Sequence, residues 1–261
     1  MRYSVEHYNL EHLERLLSFG DIHGEYDLLM FAYEQLKRRP CDAVITCGDT
    51  IDRGPKSFQT ALHFCVAENT LATLGNHEDM LLKGALDFNR VSAIDHLYNG
   101  GEWITDYHED ELSHLCKLIE EKFHLVIKAT FAGRRFTFSH ADIPNNNPNR
   151  IPPAEIHDIL WNHKAHRDLF IAKRADLVVH GHKVFKQPRI TGNRIFIDTG
   201  AGFINSSLED EPTTGLTCME VTKRNVYLHR FVKLLNGKLE HYVTPDTDET
   251  LCNLRLLLNY A

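Results

Sequence analysis

Nowhere in its 261 residues does this chain hold the roughly 20 consecutive apolar residues that a membrane-spanning helix requires. Its first residues, MRYSVEHYNLEHLERLL, carry Glu6, Glu11 and Glu14 where a secretion signal would need an unbroken apolar stretch. The six cysteines (Cys41, Cys47, Cys65, Cys116, Cys218 and Cys252) include no Cys-x-x-Cys pair. Free, mostly buried thiols in a reducing cytoplasm are therefore expected, and the Asn205-Ser206-Ser207 sequon is read as incidental. A basic surplus is missing too. The net charge of −7 argues against a general nucleic-acid or membrane-surface binder, and no obligatory protein partner is evident. There is no internal repeat, and no low-complexity tract beyond Pro144-Asn145-Asn146-Asn147-Pro148. With 43% apolar and 25% charged residues, the composition is ordinary for a globular protein, and the length suits one large α/β domain.

Histidine is the residue type in excess, at 17 copies, and its placement matters more than its number. Three times in the first third, a short apolar run stops at a glycine and a polar residue. Leu16-Leu17-Ser18-Phe19 meets Gly20-Asp21, Ala43-Val44-Ile45-Thr46-Cys47 meets Gly48-Asp49, and Leu71-Ala72-Thr73-Leu74 meets Gly75-Asn76. A helical pattern follows each; Asp27 to Arg38, for example, puts Leu28, Leu29, Phe31, Ala32 and Leu36 near helical spacing. Strand, turn and helix in repetition predict βαβ units and a largely parallel sheet, an α/β fold. Further strands are expected over 124–130, 135–139, 177–179, 194–197, 216–221 and 226–231, with a helical stretch over 91–121. Residues 143–153 read as a loop, and Leu251, Leu254, Leu257 and Leu258 as a packed C-terminal helix.

In open α/β sheets, ligand-binding groups collect at the carboxyl ends of the strands. Asp21 and His23 (Gly-Asp-Ile-His-Gly), Asp49 (Gly-Asp-Thr-Ile-Asp-Arg-Gly), Asn76 and His77 (Gly-Asn-His-Glu), His140 (Ser-His-Ala) and His182 (His-Gly-His) all fall there. Carboxylate, carboxamide and imidazole without thiolate suit manganese, iron or zinc, not a soft thiolate site or an all-oxygen calcium cage. Asp21, His23, Asp49, Asn76, His140 and His182 are too many for one catalytic ion, which needs open positions. They suit two divalent ions about 3.5–4 Å apart, bridged by a carboxylate. Two such ions lower the pKa of a shared water from about 15.7 to near 7, making hydroxide available for in-line attack on a phosphoryl group. The leaving alkoxide then needs a proton from a general acid. Two lookalikes are set aside. Gly48 to Ser57 has the wrong spacing for a phosphate loop, and His163-Lys164-Ala165-His166 lacks the arrangement of a zinc protease.

Together the motifs GDIHG, GDTIDRG, GNHE, SHA and HGH resemble those of the metallophosphoesterase superfamily, in its phosphoprotein-phosphatase branch. They look most like the small bacterial and bacteriophage-lambda type serine/threonine phosphatases. The resemblance runs from about residue 18 to residue 203, taking in Tyr98-Asn99-Gly100-Gly101, Leu160-Trp161-Asn162 and Ile197-Asp198-Thr199-Gly200. It implies a metallophosphoesterase-type β-sandwich built on βαβαβ units and flanked by helices. The implied organisation is a single calcineurin-like domain over 1–261, with its core at about 18–222 and a C-terminal strand and helix over 223–261.

The same resemblance implies roles. One metal would take Asp21, His23 and Asp49; the other would share Asp49 and take Asn76, His140 and His182, with manganese expected and iron or zinc as alternatives. His182, not His180, is the implied ligand, because the histidine directly after the glycine ligates in that family. His77 would be the general acid, oriented by Asp52, and Arg53 would clamp the phosphate beside Asn76, its planar fork matching two phosphoryl oxygens. Glu78 is read as part of a first helical turn. One departure stands out. After Trp161-Asn162 the family usually supplies a second phosphate-binding arginine, whereas here His163 holds that place and Arg167 lies a helical turn further on. Either could serve, or the substrate differs from the family norm; loss of Arg167 is expected to raise KM more than loss of His163.

The leading expectation is phosphomonoester hydrolysis, of phosphoserine or phosphothreonine in proteins. A dinucleoside-polyphosphate hydrolase, cutting molecules such as diadenosine tetraphosphate, is the rival enzyme. Relatives of that symmetrical type often lack the acid-orienting aspartate that Asp52 supplies here. An inactive phosphate-binding interaction protein is the rival outside enzymology, and the full set of implied ligands speaks against it. The segments 144–153 and 203–214 are expected to shape the entrance.

Overall fold

Side chains alternate across a strand, so a strand with apolar residues at successive positions must be covered on both faces. β2 (Arg15–Phe19) sends Leu16 to one hydrophobic cluster and Leu17 to another. β3 (Asp42–Thr46) divides Ala43 and Ile45 from Val44 in the same way. The fold solves this with two facing sheets and helices outside them. The computed structural model describes residues 3–143, 151–169, 171–203, 214–234 and 236–260. The Asn205-Ser206-Ser207 sequon and most of both expected entrance segments, 144–150 and 204–213, lie outside the described residues.

The larger sheet has the order β13 (Leu239–Val243), β12 (Val226–Lys233), β11 (Leu216–Thr222), β2, β3, β4 (Thr70–Thr73), β5 (Phe123–His124). The smaller runs β1 (Val5–Asn9), β6 (Val126–Phe131), β7 (Arg134–Ser139), β8 (Leu177–His180), β10 (Arg194–Phe196), β9 (Arg189–Thr191). Between them lie Leu16, Ile45, Ile127, Phe136, Phe138, Val179, Ile195 and Met219. On the outer face of the larger sheet pack α1 (Tyr26–Gln35), α2 (Ser57–Val66), α3 (Asn76–Ala85) and α5 (Glu109–Lys122), through residues such as Leu28, Phe64, Leu82 and Ile119. α6 (Pro153–Trp161) covers Val126 and Val178 on the outside of the smaller sheet with Ile159 and Leu160. α7 (Glu249–Leu257) buries Leu251 and Leu254 among the residues between the sheets, as do Leu10 and Leu13 near the other end, so packing continues on both sides of 18–222.

The helix-flanked α/β sandwich expected from the motifs is present, with three corrections of detail. The sheets are mixed, because parallel pairing holds for β2, β3, β4 and β5 while β11, β12 and β13 are antiparallel. Strands β1, β9 and β13 carry no clear apolar alternation because each is an edge strand with few buried side chains. The helical stretch over 91–121 divides into α4 (Arg90–Tyr98), a 3₁₀ turn (Glu102–Asp106) and α5, parted at Gly100-Gly101. No helix among the described residues is long and apolar enough to cross a membrane.

A buried ion pair ties the larger sheet together beside these clusters. The fully buried Asp42 accepts from Arg15 Nε at 3.0 Å, Arg15 Nη2 at 2.6 Å and the Arg39 N–H at 2.7 Å. Arg15 also donates to Glu220 on β11 at 2.9 Å. Burial alone would raise the Asp42 carboxyl, but these donors outweigh it and hold it below the usual carboxylate range. A depressed carboxylate stabilises the fold above its unfolded pKa of about 3.9, and that contribution fades as pH falls through the folded value. Asp42→Asn should therefore lower the unfolding free energy at pH 7 by about 2 kcal/mol, less than a fully buried pair because Arg15 keeps some water contact. Urea unfolding at pH 7 and pH 3 checks this: the gap between wild type and variant should shrink at the lower pH.

Candidate metal centre

Asp21 follows β2, Asp49 follows β3 and Asn76 follows β4, three adjacent parallel strands whose carboxyl ends share one edge. His140 follows β7 and His182 follows β8, a parallel pair in the facing sheet. The turns that carry these residues are strained. His23 (φ 48°), Asp49 (47°), Asp52 (73°), Arg53 (70°) and His182 (64°) all occupy the left-handed region, where a non-glycine residue costs about 1–3 kcal/mol. Close approach explains two glycines. A Cβ on Gly75 would stand 2.1 Å from Asp49 Oδ1, and one on Gly181 would stand 2.0 Å from Asp21 Oδ1.

The Asp49 carboxylate is the meeting point. His140 Nε2 lies 3.3 Å, His23 Nε2 3.7 Å and His77 Nε2 3.8 Å from its Oδ2. His140 Nδ1 donates to the Cys47 carbonyl at 2.7 Å, so in the neutral ring Nε2 is a lone pair. That lone pair lies 2.8 Å from Asn76 Oδ1, and His182 Nδ1 lies 3.1 Å from the same oxygen and 3.2 Å from His140 Nε2. Among the described residues, His182 Nε2 is buried without a hydrogen-bond partner. Electron-rich atoms crowded like this around a buried carboxylate repel one another unless a cation lies among them.

Side-chain protonation reports the same demand. Burial would lower His140, but Asp49 and Asp21 outweigh it and raise its pKa to about 10. Burial, with Asp198 and Asp49 nearby, holds the Asp21 carboxyl well above its ordinary range. Among the described residues, two groups of side chains are tight enough to hold an ion, His23–Asp49–His77 and Asp49–His140–His182, each with ligand atoms within 4.8 Å of one another. They share Asp49. The donor set, oxygen and imidazole without sulfur, fits a pair of borderline or hard divalent ions.

Asp21 stands somewhat apart from both groups. Its two oxygens accept from the His182 N–H at 3.1 and 2.9 Å, and His77 takes its place in the tighter triad. His180 lies outside both groups. Its Nδ1 meets Ser139 Oγ at 3.1 Å and its ring stacks on Phe196.

His77 Nδ1 lies 2.6 Å from Asp52 Oδ2, and both residues are buried. Burial would lower the His77 pKa, but Asp49 and Asp52 outweigh it and raise it. Arg53 donates to His23 Nε2 at 2.8 Å and His77 Nε2 at 3.1 Å, and its guanidinium lies 4.7 Å from the Phe203 ring centre. Since Arg53 can only donate, His23 must accept through Nε2 and carry its proton on Nδ1, which donates to the Ile51 carbonyl at 2.9 Å.

His163 and Arg167 separate. Both are exposed; the His163 ring centre is 4.3 Å from that of His182, and Arg167 lies on a 3₁₀ turn (Ala165–Arg167).

Two further residues had drawn no functional reading. Burial and then Lys183, the residue after His182, lower the His163 pKa. Glu78 belongs to the first turn of α3 as expected, yet it does more. Fully buried, it accepts from the N–H groups of Asp49 (3.0 Å), Thr50 (2.6 Å) and Gly75 (2.9 Å) and from the Thr50 hydroxyl (2.8 Å). Its position three residues after Gly75 is a capping signature, which was the available signal.

Comparison with known proteins decides the family. The calcineurin-like phosphoesterase profile matches residues 14–186. This chain belongs to that family. The phosphoesterase is 30% identical over 201 residues to the serine/threonine-protein phosphatase 2 of Escherichia coli, covering 74% of this chain and 90% of the relative. Among solved structures, a diadenosine tetraphosphatase-like protein superposes with a TM-score of 0.59 at 15% identity, covering 94% of this chain and 99% of that one. A protein serine/threonine phosphatase from Saccharomyces cerevisiae gives 0.52 at 12% identity, covering 95% and 85%. These two likenesses concern the fold. The phosphoesterase is a metal-dependent phosphoester hydrolase of a family that works with a dinuclear metal centre.

Glu78→Gln keeps the shape but turns two acceptors into one acceptor and one donor facing N–H groups. The turn that carries Asp49 should loosen, and bound metal should fall about 10–100-fold in affinity. Metal titration followed by calorimetry reads this directly; unchanged affinity would confine Glu78 to capping.

Proposed function

We propose that this phosphoesterase removes phosphoryl groups from phosphoserine and phosphothreonine in proteins, with His77 as general acid and two manganese ions at the centre. The observation that carries the reading is the buried Asp52–His77 contact at 2.6 Å, with His77 Nε2 only 3.8 Å from Asp49 Oδ2. An imidazole held by a carboxylate on Nδ1 presents Nε2 to whatever Asp49 helps to bind. Asp21, His23 and Asp49 would hold one ion, and Asp49, Asn76, His140 and His182 the other. When bound, such a pair supplies Lewis acidity and a water acidified to near-neutral pH.

The chain's own groups do the rest. Arg53 grips two phosphoryl oxygens with its planar fork and leaves the imidazoles it otherwise touches. His77 Nε2, released from Arg53, carries the proton that the departing serine or threonine oxygen requires. Asp52 keeps the Nδ1 proton in place and favours the charged ring before transfer. Asn76 and His163 border the phosphoryl group on the side of His182. The free cysteines, four of them buried, suit a reducing cytoplasm.

A second reading, dinucleoside-polyphosphate hydrolysis, draws on the likeness to the diadenosine tetraphosphatase-like structure. Asp52 weighs against the symmetrical type of that activity, and the E. coli relative, named for serine/threonine-protein phosphatase activity, weighs with the first reading.

Exhaustive chelation should abolish turnover and Mn²⁺ should restore it, monitored with p-nitrophenyl phosphate; full activity after chelation would refute a metal-dependent reaction. Side-by-side assays with a phosphoserine peptide, p-nitrophenyl phosphate and diadenosine tetraphosphate under one metal condition then choose between the substrates. His77→Asn should lower kcat for the phosphopeptide by about 10²–10⁴-fold while leaving metal content nearly intact. Normal turnover of that poor-leaving-group ester would remove His77 from the acid role.

A further inference from the structure

Asp52 is held by more groups than the orientation of His77 requires. Its Oδ2 faces His77 Nδ1, while its Oδ1 meets both His96 Nε2 at 2.9 Å and the indole N–H of Trp103 at 2.7 Å. His96 is buried on α4 and Trp103 is half-buried on the following 3₁₀ turn, so both come from one short stretch of chain. The same stretch holds the next residue as well, because the Arg53 N–H donates to the Gly100 carbonyl at 3.0 Å. Asp52 and Arg53 are the two consecutive left-handed residues of their turn. A Cβ on Gly101 would lie 2.5 Å from the His96 ring, and one on Gly100 2.7 Å from the Arg53 nitrogen, so the glycine pair lets this segment close so tightly.

A lone aspartate carboxylate turns easily about its last bond, where the torsional wells are broad. Two donors on one oxygen fix the carboxylate plane and leave the other oxygen aimed at one place. Resting on the reading of His77 as general acid, we infer that His96 and Trp103 are positioning residues of the reaction: they clasp Asp52 so that Oδ2 stays on His77 Nδ1, while Gly100 anchors the backbone of Arg53. The clasp touches neither phosphate nor metal ligand. Its effect reaches the reaction only through the alignment of His77, and so should appear only where a proton must be delivered.

Trp103→Phe keeps the ring and loses the N–H. His96→Leu removes the other donor, and His96→Gln retains a side-chain N–H that can reach Asp52. Each is assayed with a phosphoserine peptide, whose alkoxide needs the proton, and with p-nitrophenyl phosphate, whose phenolate leaves without it. Trp103→Phe and His96→Leu should each lower kcat on the peptide about tenfold or more relative to p-nitrophenyl phosphate. KM and bound metal should change little, and His96→Gln should recover most of the loss. An equal loss on both substrates would reduce the clasp to a structural support and overturn the inference, as would no loss at all. Should His96→Leu fail to fold, Trp103→Phe alone carries the test, with thermal melting confirming its fold. His77→Asn is the parallel control. If it shows no leaving-group preference, the acid assignment falls and the clasp with it; if it does while the clasp variants do not, the clasp alone falls.

Discussion

A buried carboxylate surrounded by imidazole and amide lone pairs is an unfavourable arrangement by itself, and Asp49 is such a carboxylate. Three histidine nitrogens lie between 3.3 and 3.8 Å from its Oδ2, and Asn76 Oδ1 adds a further acceptor beside His140. In a low-dielectric pocket this cluster is tolerable only around positive charge, supplied by the Arg53 guanidinium at His23 and His77 and elsewhere by protons or metal ions. The raised His140 and Asp21 are that demand expressed as proton affinity. Because Asp49 belongs to both ion-sized groups, losing its position would disturb the two together.

Keeping such a carboxylate in place needs support from behind, and the sheet edge provides it. Parallel strands β2, β3 and β4 end side by side, so their turns must crowd, and glycine at positions 75 and 181 makes the crowding possible. Glu78 then gathers the N–H groups of Gly75, Asp49 and Thr50 into one carboxylate, tying the turn after β4 to the turn after β3. Left-handed backbone at His23, Asp49, Asp52, Arg53 and His182 is the conformational cost of these turns. Interlocked contacts of this kind hold the strained turns in one geometry.

How much of this was legible beforehand follows from what short-range pattern can carry. Apolar runs ending in Gly-Asp or Gly-Asn marked β2, β3 and β4 and the side chains beyond them, because both faces of those strands are buried and leave continuous apolar segments. The edge strands β1, β9 and β13 left no such trace, since their exposed faces accept polar residues. Helical spacing over 91–121 was real on both sides of Gly100, but nothing local announced that His96 and Trp103 would reach Asp52, some 44 and 51 residues away in sequence. Glu78 was readable as a cap and not as a tie between turns, because its partners at Asp49 and Thr50 belong to a different strand end. Contacts made across the fold are what sequence spacing omits.

The place where the family's second arginine would stand shows how such a contact alters chemistry. The His163 ring lies tilted against that of His182, and its pKa is lowered, by burial first and then by Lys183 and His140, which favours the uncharged ring. An uncharged imidazole can donate one hydrogen bond to a phosphoryl oxygen but brings no positive charge, unlike a guanidinium. In the proposed reaction the charged grip on the phosphoryl group therefore falls on Arg53, which reaches the centre from the turn after β3. Lys183, next in sequence to His182, lowers the His163 pKa further, and its ammonium sits on a flexible stem with no fixed fork. In that proposed reaction a rigid guanidinium fork would fix the phosphoryl group while leaving the rest of the substrate loosely specified.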